Sequence, residues 1–397
     1  MKNYFKYFII LISIGFLTVL SCHKLTPPSI PSHNVIWEKT YGGSNNDLGV
    51  SIQKTYGNGY IIAGLTESFG SGEEDVYLIK TDANGDSLWA KTYGGEYDDA
   101  GISVQQTSDG CFIITGYAES FGSGGKDVYL IKTDANGDSL WAKTYGGSET
   151  DRGLSVLQVP DEGFIIAGYT ESFSSNSTSD IYLIKTDING NLLWEKTYGG
   201  TDNDRAQTVQ KTSDGCFIIV GYTESFGSGE EDVYLIKTDA NGDSLWAKTY
   251  GGEYDDIGIS VQQSLDGEFI IAGYTSSFGE GQSDVYLIKT DANGDSLWAK
   301  TYGTTFYDMG YSICETPNGG YIIVGLTQNY SNYDPIADVY LTETTRDGEL
   351  ICSSTYGGDK ADKGYSVVET SDGGYIIAGE TSSFGSGLSD VYLIKIK

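Results

Sequence analysis

The chain has 397 residues, 54 of them glycine and only 6 proline, and 39% of it is apolar. That composition supports a core and many tight turns, and it excludes a disordered chain. The formal net charge is −31, and residues 22–397 carry 22 basic against 55 acidic side chains; such a surface repels phosphate backbones, excludes nucleic acid as a partner and favours a soluble monomer.

In chain order, the first element is not structural. Residues 1–21 combine Lys2 and Lys6 with an apolar run from Phe8 to Leu20 and a small residue at Ser21, the pattern of a secretory signal peptide. Val19-Leu20-Ser21-Cys22 resembles the lipobox of bacterial lipoproteins. That resemblance implies lipidation (palmitate among the acyl chains) on Cys22, cleavage before it, and a protein held to the cell envelope outside the cytoplasm, at the outer membrane or cell surface. A cleaved signal, or a simple N-terminal anchor, with an incidental cysteine is the alternative. Residues 22–34 then form the lipidated cysteine and a Pro-rich tether. Both histidines, His23 and His33, fall in this tether, so no histidine is expected in the folded body for a triad, proton shuttle or metal site.

From residue 35 onward the chain repeats. Trp37, Trp89, Trp141, Trp194, Trp246 and Trp298 recur at intervals of 52 or 53 residues, and Cys352 stands at the seventh position. A period near 50 points to propeller blades or other repeat arrays. Each unit holds four strand-like runs, A to D; in the first, these are Gly49–Thr55, Tyr60–Thr66, Val76–Thr81 and Ser87–Tyr93. Runs B and C are continuously apolar, as in strands covered on both faces, whereas run D alternates and reads as a half-wet outer edge. Asn84-Gly85 and Asp109-Gly110 predict two-residue hairpin turns with positive φ. The body starts with a lone D run, Val35–Tyr41, and ends with A, B and C (Tyr365–Thr370, Tyr375–Thr381, Val391–Lys395) but no D. Pairing these pieces completes a seventh blade and removes two exposed edges. The expected fold is all-β: a seven-bladed propeller of four-stranded antiparallel blades over residues 35–397.

The W-x-x-T-Y-G-G and D-G-G-Y-I-I-A-G segments of these units resemble the bacterial and archaeal β-propeller repeat. They are more loosely similar to quinoprotein-type blades. The resemblance implies the fold and a surface location but no activity, and no quinone-cofactor ligands can be placed.

The D–A and B–C loops should emerge together on one face, which is where a binding site is expected. One aspartate precedes every A strand there: Asp47, Asp99, Asp151, Asp204, Asp256, Asp308 and Asp362. A second precedes every C strand: Asp75, Asp127, Asp180, Asp232, Asp284, Asp338 and Asp390. Sevenfold recurrence favours a structural job, fixing loop ends, over a ring of cation-binding carboxylates. Asp82-Ala83-Asn84-Gly85-Asp86 has calcium-like oxygen spacing but lacks the closing bidentate acid, so it reads as a turn. The loop rings Phe69, Phe121, Phe173, Phe226, Phe278 and Phe384 are expected to tuck between blades. Cys111, Cys216, Cys314 and Cys352 are expected to be free thiols, because neither in-ring pairing reaches disulfide distance.

Blade 6 departs most from the pattern. Gln328–Asp338 reads as a longer loop, and Glu343 and Cys352 replace the repeat's Lys and Trp. The expected binding patch is there, at Tyr330, Tyr333 and Asp334. The leading functional reading is a non-catalytic, lipid-anchored binding or scaffold module with an envelope protein or glycan as partner and no cofactor. A surface carbohydrate or polymer binder, with calcium assisting, is the alternative. A propeller-type glycan lyase or hydrolase comes third, because the acids repeat sevenfold instead of forming one distinctive pair.

Overall fold

The computed structural model describes residues 33–159, 163–264, 266–331 and 334–397. The signal segment, Cys22 and the tether up to Ser32 lie outside the described residues, as does Tyr333. Seven four-stranded antiparallel sheets form a closed ring, each with the order A-B-C-D. The innermost strands, Asp47–Lys54, Asp99–Gln106, Asp151–Gln158, Asp204–Lys211, Asp256–Gln263, Asp308–Glu315 and Asp362–Glu369, pack one against the next around the axis. The seventh sheet joins the two ends of the body: Val35–Tyr41 pairs with Asp390–Ile396, with Trp37 opposite Lys395 and Tyr41 opposite Val391.

The core lies between blades. One layer joins Ile61, Ala63, Val76 and Leu78 of blade 1 to Val104, Phe112, Ile114, Tyr129 and Ile131 of blade 2, with Trp89 and Tyr93 packed against it. Comparable layers recur at the other junctions, which explains why strands B and C carry apolar residues on both faces. Each fully buried Ile, Leu or Val contributes about 1.5–3 kcal/mol by leaving water.

Each blade also latches onto the next. The strand D tyrosine donates a hydrogen bond to the glycine carbonyl of the next blade's C–D turn: Tyr93 to Gly137 at 2.5 Å, Tyr145 to Gly190 at 2.6 Å, Tyr302 to Gly348 at 2.7 Å. The neighbouring indole covers that glycine; a methyl built on Gly137 would lie 2.8 Å from the Trp89 ring. The seventh junction differs because the chain ends interrupt blade 7, which has no C–D turn. There Tyr356 donates to the backbone carbonyl of His33 at 3.1 Å.

Two local expectations are corrected. The C–D connections are not two-residue type I′ turns. Gly85 has φ +76° but Asn84 is not in the left-handed region. Asp82 and Asp86 close a five-residue connection, with the Asp82 N–H bonded to the Asp86 carbonyl at 2.9 Å and a bulge at Lys80/Thr81. A turn followed by one left-handed glycine suits the strand twist equally well. The second correction is in blade 6, where Gln328–Asp338 is largely ladder, not loop. Strands Tyr321–Ser331 and Asp334–Thr344 continue as a hairpin, pairing Gln328 with Ala337 and Tyr330 with Pro335. Five of the other B–C loops break their strands at a left-handed glycine such as Gly70, φ +105°, and the blade 3 loop uses Ser177 at φ +59° in that role; the blade 6 segment contains no glycine.

Candidate functional site

The fourteen repeated aspartates sit inside the loops, not on them. All seven that start strand A are fully buried. Each accepts the N–H four residues upstream, as in Gly43 to Asp47 at 2.7 Å, Gly95 to Asp99 at 2.7 Å, Gly200 to Asp204 at 2.8 Å and Thr304 to Asp308 at 2.6 Å. Asp47 also accepts from Ser68 Oγ at 2.7 Å and from Thr66 Oγ1. Five of the aspartates that start strand C, Asp75, Asp127, Asp232, Asp284 and Asp390, accept loop N–H groups; Ser71 and Gly72 donate to Asp75 at 2.8 and 3.0 Å. The two sets face each other across each blade junction around a D–A loop glycine. A methyl on Gly94 would overlap Asp75 Oδ1 and lie 2.9 Å from Asp99 Oδ2. Burial first, and the facing carboxylate as well, raise the pKa of Asp127, Asp180, Asp284 and Asp338 above the usual carboxylate value. Among the strand C acids, Asp75, Asp127, Asp232, Asp284 and Asp390 hold loop backbone at the blade junctions.

Asp82 likewise turns its carboxylate to the N–H groups of Asn84 and Asp86, at 2.8 and 2.9 Å, and Asp86 pairs with Lys39 at 2.9 Å. Internal partners therefore hold the Asp82 carboxylate and one Asp86 oxygen.

The loop phenylalanines do not tuck away between blades. Phe69, Phe121, Phe173 and Phe226 are each 45% exposed, resting one face on a strand C tyrosine, as in Phe69 on Tyr77 with centroids 5.8 Å apart. The strand C tyrosines fill the space beneath, so the outer ring face stays wet. Tyr330 and Asp334 lie in the extended blade 6 hairpin.

The residues that distinguish one blade from another gather elsewhere, at the inner rim of the long-loop face. The position after the first aspartate of strand A reads Leu48, Ala100, Arg152, Arg205, Ile257, Met309 and Lys363. The chain has three arginines in all, and two of them occupy this position in adjacent blades. Arg152 stacks over Tyr117 with its Cζ 4.3 Å from the ring centroid, and Arg205 over Tyr169 at 4.2 Å. Lys126 covers the same Tyr117 ring at 4.6 Å and pairs with Asp98 at 3.0 Å. Tyr117 donates to Glu74 at 3.1 Å, and burial together with Glu74 raises its phenol pKa. Arg205 Nε donates to Ser179 Oγ at 2.8 Å, whereas Arg152 Nε is buried without a hydrogen-bond partner. Stacking on tyrosine holds both guanidinium planes in place, so less side-chain entropy is lost when they bind a carboxylate.

Beside Arg205 the rim turns acidic. Asp202, Glu224, Glu230, Glu231 and Asp255 line an open groove. Burial pushes Glu231 up to about 7, with Asp255 and Glu224 adding to the shift and Arg205 opposing it. A carboxyl whose folded pKa exceeds its free value of 4.5 stabilises the fold below that value and loses this contribution as pH rises toward 7. Glu231→Gln should therefore melt higher than wild type at pH 8 by about 1 kcal/mol, a solvent-screened figure, and equal it at pH 4. Paired urea melts at the two pH values check this.

Just below strand A's first turn, every inner strand carries a β-bulge, as between Gly49 and Ser51. The bulged residue varies too: Val50, Ile102, Leu154, Gln207, Ile259, Tyr311 and Tyr365. The last two touch, with rings 5.6 Å apart, and Tyr365 donates to Glu380 at 2.8 Å. Bulges commonly re-aim side chains beside functional sites. The sequence reading missed this rim, although aligning the repeats exposes it: a variable residue sits between an invariant Asp and a conserved Gly or Ala.

His33 overturns another expectation. It does not float in the tether. Its backbone neighbours bond the chain end, with Asn34 N–H to the Lys397 carbonyl at 2.9 Å, and its Nε2 lies 3.1 Å from Glu343 Oε2. The four cysteines of the body are free.

The geometry is that of a propeller with unequal blades. No protein-family model matches the chain. It is 26% identical over 260 residues to the regulatory protein FlaEY of Caulobacter vibrioides, covering 56% of this chain and 26% of that protein. It is 23% identical over 374 residues to an uncharacterised WD repeat-containing protein of Acanthamoeba polyphaga mimivirus, covering 70% of this chain and 26% of that protein. The chain thus spans about a quarter of the length of these relatives. Among solved structures it is similar to Sqt1 from Chaetomium thermophilum, with TM-score 0.49, 13% identity, and 88% and 82% of the two chains covered. The WD40 domain of Neurospora crassa Pan2 gives TM-score 0.49, 12% identity and 89% coverage of each chain.

Proposed function

We propose that this propeller is a non-catalytic binding module that recruits a protein partner at the inner rim of its long-loop face. The observation that carries the reading is the placement of two of the chain's three arginines at one repeat position in adjacent blades, each stacked on a tyrosine. In a protein of net charge −31 such a cationic pair is a local exception, and it suits a carboxylate on an incoming segment. The lipobox-like Val19–Cys22 segment supports the accompanying proposal that the protein is an envelope lipoprotein carrying acyl chains on Cys22, with residues 1–21 removed and residues 22–34 as the spacer.

The half-exposed phenylalanines favour a second reading. Phe69, Phe121, Phe173, Phe226, Phe278 and Phe384 present a ring of aromatic faces on the same side of the molecule, suited to stacking against the sugars of a repeating polymer.

Capture from the native cell envelope tests both parts. Wild type and Tyr56→Ser, a variant of the opposite face, should retain one common protein, and Arg152→Glu/Arg205→Glu should lose it at least tenfold. Cys22→Ser should move the protein from the membrane to the soluble fraction. Undiminished capture by the charge-reversed variant overturns the rim as the binding surface, and capture of glycan by all of them favours the second reading.

A further inference from the structure

Blade 6 and the segment before the first strand together build a cluster that has no counterpart elsewhere in the described ring. In the other six blades strand C presents a lysine directly across from the strand D tryptophan: Lys80 opposite Trp89, Lys132 opposite Trp141, Lys289 opposite Trp298, Lys395 opposite Trp37. In blade 6 both members change together, and Glu343 stands opposite Cys352. His33 meets this pair from the other side of the junction. Its Nε2 is 3.1 Å from Glu343 Oε2, Cys352 Sγ is 3.5 Å from the same oxygen, and the three donor atoms lie within 4.8 Å of one another.

We infer that His33, Glu343 and Cys352 form a binding site for one zinc-like divalent metal ion. Imidazole, carboxylate and thiolate are the donor types that zinc accepts together. Zinc–ligand bonds of about 2.0–2.3 Å in a tetrahedral arrangement place donors about 3.3–3.6 Å apart, close to the two measured spacings. Three protein ligands leave a fourth position, and the half-buried His33 and Glu343 side chains, 15% and 22% exposed, leave room for water there. The site is pre-formed. Tyr356 bonds the His33 carbonyl, the Asn34–Lys397 backbone pair fixes the following residue, and the imidazole lies edge-on to Tyr375 at 5.8 Å.

That last contact also supplies the rival explanation. Trp89 and Trp246 meet Phe112 and Phe269 edge-on across their junctions at 6.0 and 6.2 Å, so His33 occupies the place of the missing indole. Packing alone explains a ring at this position. It does not explain why the residues facing that ring are a carboxylate and a thiol instead of another apolar or aromatic pair. The thiol is buried. Metal uptake must then release the Cys352 proton to solvent as the Sγ–metal bond forms, which makes affinity rise with pH.

Cobalt(II) added to the metal-free full-length protein, in a Cys22→Ser background, reads the site directly. The expected result is one equivalent bound, with a thiolate-to-cobalt charge-transfer band that zinc abolishes. Cys352→Ser should remove the band, and His33→Ala and Glu343→Gln should each weaken zinc binding by at least tenfold. Cys111→Ser, Cys216→Ser and Cys314→Ser should leave the band intact. Zinc should also raise the melting temperature of the wild type but not of Cys352→Ser, whose own melt confirms folding. Cobalt binding without a thiolate band, or zinc affinity unchanged by His33→Ala, overturns the site and leaves His33 as packing only.

Discussion

Removing residues 1–41 is expected to lower the melting temperature by at least about 6 °C and to give soluble aggregates in size-exclusion chromatography. The first strand supplies the outer edge of blade 7, and without it Asp390–Ile396 becomes an open edge with its backbone groups unpaired. Trp37 and Tyr41 leave the layer that also holds Ile52, Tyr60, Tyr77 and Leu393, and truncating one large aromatic in such a layer costs about 3–5 kcal/mol. The Tyr41 bond to the Gly85 carbonyl and the Trp37 cover over that glycine disappear with it. About 5 kcal/mol in a domain of this size corresponds to about 6 °C. The melts are run without added metal, so that only the packing contacts of His33, and not metal binding, are lost with it. A peptide of residues 34–43 added in trans should restore part of the lost stability. A truncated protein that melts like wild type and stays monomeric would show that three strands suffice for the seventh blade.

The second large effect concerns the buried aspartates. Asp47→Ala should cost about 3 kcal/mol in urea unfolding, and Asp47→Asn about 1 kcal/mol. The alanine leaves the Gly43 N–H, the Ser68 hydroxyl and the fully buried Thr66 hydroxyl without an acceptor, and each orphaned buried donor costs about 1–3 kcal/mol, partly recovered by relaxation. The asparagine keeps one carbonyl acceptor. It also removes a charge that faces Asp390 across Gly42, where both carboxylates converge. Equal losses for the two substitutions would mean that charge, not hydrogen bonding, is what the junction needs. That outcome would revive a cation bound between the paired acids.

Much of the architecture is readable from the repeat alone. Run B, Tyr60–Thr66, and run D, Ser87–Tyr93, have the strand limits seen in the fold, because apolar continuity and turn residues mark them locally. The split blade follows from simple bookkeeping of strands, since an open ring would leave two edges. Strand A begins earlier than its apolar pattern suggests, at Asp47 instead of Gly49, because the buried aspartate is already in the ladder opposite Thr66. The blade 6 hairpin misleads for a related reason. Polar residues in sequence read as a loop, whereas the backbone ladder runs on to Ser331 opposite Asp334.

What the sequence determined by itself is therefore the unit, its number and its closure, all of which rest on local patterning and on pairing that repeats seven times. Only the tertiary structure decided which residues are neighbours across blades. Repeat comparison can show that position 152 varies, but it takes the ring to set Arg152 on Tyr117 of the preceding blade. The same holds at the seventh junction. His33 lies 310 residues from Glu343 in the chain, and closure of the ring, with no C–D turn in blade 7 to fill the space, is what brings them to 3.1 Å.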